Sequence, residues 1–256
     1  MKKRKIMMSV MSAALVGVVA IGGTLAYLSD TTEKVVNTFN VGAGYIDDGK
    51  HVGLWLDETL WDTASNLPTD SRTEDGNLYK DMMPGSVVLK DPTFHLTTGS
   101  TDSYVFAEVN GLDEMVEKHF LIGNKNYEEE QPLTSALNTN WYKVDGSADS
   151  VLDGVYLYVE VDEDGAVVFD EYGKPVPAVV EGGAKLEPMF NYVWYDKNTV
   201  NAEHDDNVTA QSSSEANGIL QDITVRGAAV QTANLTWEQA QGEALKALAG
   251  GAELLG

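Results

Sequence analysis

The chain of 256 residues contains no cysteine, so disulfides, thiol nucleophiles and cysteine metal sites are all excluded. Its four histidines, His51, His95, His119 and His204, are scattered, and no His-Glu-x-x-His stretch exists, which removes the commonest zinc-protease geometry. No serine stands in a Gly-x-Ser-x-Gly elbow, and the glycines form neither a phosphate loop nor a dinucleotide fingerprint. Cations are few: 17 Lys and Arg face 40 Asp and Glu, a formal net charge of -23. Such a chain repels nucleic acid and anionic lipid.

Four of those cations stand at the start, Lys2-Lys3-Arg4-Lys5, ahead of an apolar run from Ile6 to Ile21 that is interrupted by Ser9 and Ser12. Gly22-Gly23-Thr24-Leu25-Ala26 follows. A charged head, a hydrophobic middle and a small-residue end define a secretory signal peptide over residues 1–26, with cleavage expected between Ala26 and Tyr27. An uncleaved anchor is the other reading, since a span needs about 20 apolar residues. Gly22-Gly23 argues against a continuous membrane helix, and no second hydrophobic span follows. The mature chain, residues 27–256, is therefore expected to be secreted or held at a cell surface. It is long enough to bury a core without disulfides.

Thr31 to Asp47 reads as a strand by period-two logic: Val35, Phe39 and Val41 fall on one side, and Val36, Thr38 and Asn40 on the other. The polar, acidic stretch from Asp62 to Asp81 reads as a surface loop. Runs of β-branched and aromatic residues bounded by Gly and Pro predict strands at Ser86–Lys90, Tyr104–Val109, Val155–Val161, Ala166–Phe169, Val176–Val180, Met189–Tyr195 and Leu220–Val230. Turns at Asp164-Gly165 and Tyr172-Gly173 make two of these intervals a meander. A short helix is expected over Asp113–Phe120. Thr236 and Gln239 have capping-box spacing, which starts a C-terminal helix over 237–249, with Gly250-Gly251 ending it. Together these predict a mainly β, single-domain antiparallel sandwich of jelly-roll type with a few peripheral helices, preceded by the N-terminal signal helix.

The acidic runs Asp162-Glu163-Asp164 and Glu128-Glu129-Glu130 read as a hairpin turn and a solvated patch. The aromatic cluster Phe190, Tyr192, Trp194 and Tyr195 reads as core and sheet surface. No catalytic pair, cofactor or metal site is assigned.

Four stretches together resemble the TasA and camelysin (CalY) family of exported Gram-positive bacterial proteins: Gly22 to Asp30 with Asn37-Thr38-Phe39; Met83-Pro84-Gly85 with Lys90-Asp91-Pro92 and Thr98-Gly99-Ser100; Ile223 to Gln231; and Trp237-Glu238-Gln239-Ala240. The resemblance implies cleavage by a SipW-type signal peptidase, a jelly-roll core, and a fibre-forming role in the biofilm matrix or at the cell surface. It further implies assembly by donor strand, residues 27–47 completing the sheet of a neighbouring copy through Tyr27, Leu28, Val35, Phe39 and Val41. The chain's partners would then be other copies of itself, with further matrix or surface components. Two alternatives stay open: a secreted camelysin-like metallopeptidase, for which no metal motif is present, and a monomeric surface adhesin or accessory protein. Residues 31–47 acting as the first strand of their own sandwich is the competing reading of the N-terminal segment.

Overall fold

The computed structural model describes residues 29–32, 45–80, 82–124, 136–196 and 222–253. The expected signal helix lies outside them. In chain order the elements are β1 (Ser29–Thr32), β2 (Leu54–Asp62), β3 (Leu67–Thr73), β4 (Val87–Leu89), β5 (Thr93–Leu96), β6 (Ser103–Asn110) and helix α1 (Leu112–Glu117). They continue as β7 (Phe120–Gly123), β8 (Trp141–Asp145), β9 (Gly154–Tyr158), β10 (Tyr192–Tyr195), β11 (Thr224–Gln231) and helix α2 (Trp237–Glu253). The fold is mainly β and every paired strand is antiparallel.

A five-stranded sheet ordered β1-β11-β6-β9-β8 forms the centre, beside three-stranded sheets ordered β4-β10-β7 and β3-β2-β5. One face of the central sheet places Val105, Ala107, Val109, Val225 and Ala229 against Leu54, Phe94, Val88, Val193 and Ile122 of the smaller sheets. The opposite face places Phe106, Val155, Leu157, Ala228 and Val230 against Ala240, Ala244 and Leu248 of α2. Both faces are thus dry, which explains why β11 reads as unbroken small and apolar residues around Gly-Ala-Ala-Val instead of alternating. The small residues let a helix and a second sheet approach the same strand.

Gly227 marks the tightest approach: a Cβ added there would lie 2.3 Å from Phe94 Cε1 and 2.8 Å from Leu54 Cδ2. Gly227→Ala should therefore destabilise the fold by about 1–3 kcal/mol through overpacking. Urea unfolding of the variant checks this, and an unchanged midpoint would refute the packing.

Several expected elements are realised. The strands around Val87, Tyr104, Val155, Tyr192 and Val225 are present, whereas the strands expected over Ala166–Phe169 and Val176–Val180 are not formed and the meander is held by single bridges at Val161–Val167, Phe169–Pro175 and Val159–Pro177. Asp162 Oδ1 accepts the N–H groups of Asp164 and Ala166, so that acidic run is a hairpin turn. Phe190, Trp194 and Tyr195 are buried, as core aromatics.

Others differ. The stretch read as a loop from Asp62 to Asp81 contains β3, which is anchored by the ion pairs of one residue, Arg72, with Asp57 and Asp91 instead of by an apolar face. The helix expected over Asp113–Phe120 stops at Glu117, because His119 takes φ 67 and Phe120 enters β7. Its start is fixed from a distance: Asp153 accepts the N–H groups of Gly111 and Leu112, while Asp113 accepts that of Leu152. Helix α2 continues through Gly250 to Glu253 instead of ending at 249.

Candidate assembly edge

Strand β11 pairs with β6 over its full length, from Thr224 opposite Asn110 to Gln231 opposite Ser103. Among the described residues, its other side is paired by β1 alone, in the register Ser29–Val230, Asp30–Ala229, Thr31–Ala228 and Thr32–Gly227. Among the described residues, no strand pairs with the outer side of Thr224, Val225 or Arg226. β1 also lies against α2 and β2, so it seats in a slot formed by both layers that cover the central sheet.

The chain is anchored again at Tyr45, whose Oη lies 3.2 Å from Ser103 Oγ. The next residue, Ile46, donates its N–H to Ser100 Oγ at 3.1 Å. Thr32 thus stands beside the middle of β11, whereas Tyr45 stands at the start of β6. Of the strand expected over Thr31–Asp47, the described residues are Thr31 and Thr32, which end β1, and Tyr45 to Asp47, which lead into a turn where Asp48 Oδ1 accepts the N–H groups of Lys50 and His51. The expected contact residues Tyr27, Leu28, Val35, Phe39 and Val41 lie outside the described residues, as does the cleavage pair Ala26–Tyr27.

The sequence reading did not find a dense polar cluster on β2, β3 and β5. Arg72 donates through Nε to Asp57 Oδ1 at 2.8 Å, and through its two terminal nitrogens to Asp91 Oδ2 at 2.7 Å and Thr93 Oγ1 at 2.9 Å. His95 Nε2 lies 2.9 Å from the same Asp57 oxygen. Burial alone would raise the Asp57 carboxyl, but the bonds from His95 and Arg72 outweigh it and hold the group below the usual carboxylate range. Burial likewise opposes the charge on Arg72, and its bonds to Asp91 and Asp57 prevail and push it up. His51, Trp55 and His95 stack as three parallel rings, with centroid spacings of 3.9 and 4.0 Å. These partners come from positions 15 to 38 residues apart, and no local pattern announces them.

Among the described residues, no three His, Asp or Glu side chains converge as a metal-ligand set. No described helix is long and apolar enough to cross a membrane. In comparisons with known proteins, the chain matches no family model, no curated protein and no solved structure.

Proposed function

We propose that this chain is an exported structural protein of a biofilm matrix or cell surface, that its signal is removed between Ala26 and Tyr27, and that its freed N-terminal segment joins one copy to the next. The carrying observation is the place of Ser29–Thr32: four residues from just beyond the expected cleavage point form an edge strand on β11. An edge strand is held chiefly by main-chain hydrogen bonds, which any copy of the same segment can supply in the same register. In the same register residue 35 of a neighbour's segment would stand opposite Thr224, the first residue of β11, and Phe39 and Val41 would carry the contact beyond the strand's start. Because donor and acceptor are different surfaces, the contact is head-to-tail and propagates as a filament. The layered arrangement on both sides of β11 is of the kind a jelly-roll core provides, and on this reading the smaller sheets form its second wall.

The test compares purified residues 27–256 with a chain starting at Gly42, by negative-stain electron microscopy across salt and pH. The longer chain is expected to form filaments and the shorter one to stay monomeric. Filaments from the shorter chain, or none from either, would overturn the proposal. Mildly acidic solution should speed growth, since the cleaved chain, which loses Lys2, Lys3, Arg4 and Lys5 but no acid, is still more negative than the full chain's formal -23, and this charge opposes self-association at neutral pH.

A further inference from the structure

Glu58, Lys90 and Asn77 come from three segments, β2, the residue just after β4 and the stretch after β3, and meet on the buried Glu58 carboxylate. Lys90 Nζ donates to Glu58 Oε2 at 2.6 Å, and Asn77 Nδ2 donates to Glu58 Oε1 at 3.0 Å. Amine and carboxamide therefore lie side by side on the two oxygens of the same acid. Glu58 is 5 % exposed and the Lys90 side chain 12 %.

The carboxamide is held in one orientation. Asn77 Oδ1 accepts the backbone N–H of Trp61 at 2.7 Å, while Nδ2 also donates to the carbonyl of Thr59 at 2.8 Å. Trp61 and Tyr79 pack together nearby, with ring centroids 5.3 Å apart. Beside Glu58 and Lys90 is a cavity of about 30 Å³, lined also by the apolar Leu56, Pro92 and Val225 and by the polar Asp57, Thr73 and Glu74. Its volume suits one molecule the size of water or ammonia.

A buried Lys–Glu pair is a poor investment for stability alone, because both charges lose their hydration. An amine and a carboxamide meeting on one carboxylate, with a donor on the amide oxygen, are the groups an acyl transfer draws on: nucleophile, proton carrier and oxyanion donor. We propose that Lys90 and Asn77 join in an intramolecular isopeptide bond, formed by the chain itself with Glu58 as the proton carrier.

In the reaction, Glu58 takes a proton from the Lys90 ammonium, and the neutral amine attacks Asn77 Cγ. The Trp61 N–H holds the oxygen that becomes negative. Glu58 returns the proton to the Asn77 nitrogen, the C–N bond breaks and ammonia leaves, carrying off the remaining amine proton as ammonium. One C–N bond forms and one breaks, no oxidant is consumed, and Glu58 ends as the carboxylate it began as. The product ties β2's neighbour segment to β4 in a chain that has no cysteine for a disulfide, a covalent staple indifferent to redox conditions.

Intact-mass spectrometry of the full purified chain tests the idea, together with sequencing of its proteolytic peptides. The expected mass is below that calculated from the observed termini by one ammonia, about 17 Da, with a branched peptide joining Lys90 to Asn77. Glu58→Ala should restore the full mass and release the two linear peptides. Asn77→Asp should lose one water, about 18 Da, instead. Full mass in the wild-type chain after prolonged incubation, or the loss of ammonia without the branched peptide, would overturn the proposal whether or not the Glu58 variant folds.

Discussion

A chain carrying Thr31→Cys and Ala228→Cys should stay monomeric when oxidised and form filaments once a reductant is added. The two positions face each other directly across β1 and β11. Directly opposed antiparallel residues hold their Cα atoms about 4.5–5.5 Å apart, inside the range a disulfide spans. Because the natural chain has no cysteine, the bridge has no competitor. Locking the segment onto its own β11 withdraws the donor and blocks the acceptor together, so growth should fall at least tenfold and not merely slow. Either single variant should assemble as the parent does. Filaments appearing at the parental rate from the oxidised double variant would show that β1 does not need to leave its own sheet, and donor exchange would fail as the mechanism even if the protein is fibrous.

Arg72→Ala should cost about 3–5 kcal/mol of stability, the range for removing one partner from a buried charge cluster. Arg72 is the tie between β3 and the two strands beyond it, bonding Asp57 on β2, Thr93 on β5 and Asp91 just before it. Without it Asp57, only 7 % exposed, keeps only its hydrogen-bond contact with His95 Nε2 at 2.9 Å. Arg72→Lys should recover less than half of the loss, since an ammonium cannot replace a planar fork serving three acceptors at once. Lys174→Ala is the control: its pair with Glu238 is exposed and should contribute little. Chemical denaturation of the three variants decides, and equal midpoints for Arg72→Ala and Lys174→Ala would refute the cluster's structural role. The same cluster fixes a pH dependence. Asp57 has a lowered folded pKa, so its contribution is fully present above the ordinary aspartate value of about 3.9 and is lost as pH falls below it through the lowered one. Asp57→Asn should therefore flatten acid unfolding in that window.

The C-terminal helix shows how far local pattern reaches. Thr236 and Gln239 were legible as a capping box, and the structure has both bonds, Thr236 N–H to Gln239 Oε1 at 3.0 Å and Gln239 N–H to Thr236 Oγ1 at 3.4 Å. Ala240, Ala244 and Leu248 follow at helical spacing and are buried. The other end of the helix was misread: glycine disfavours a helix interior by about 1 kcal/mol relative to alanine, yet the helix passes through Gly250. Strand β2 shows the opposite limit. Its sequence, Leu54-Trp55-Leu56-Asp57-Glu58-Thr59-Leu60-Trp61-Asp62, buries two of its three carboxylates, Asp57 and Glu58, where a buried strand should be apolar, and no element is expected there from the sequence.

Those carboxylates are buried because Arg72, His95, Lys90 and Asn77 arrive from elsewhere to meet them. The same holds for the candidate assembly edge: period-two pattern announced a sticky N-terminal segment, but not that its first residues lie on β11 between α2 and β2. By itself the sequence determined the mainly β character, several of the turns and the capping box, since each depends on residues within a few positions of one another. Sheet order, register and the pairing of buried charges were decided only by the tertiary structure, because desolvation and close packing depend on neighbours tens of residues away.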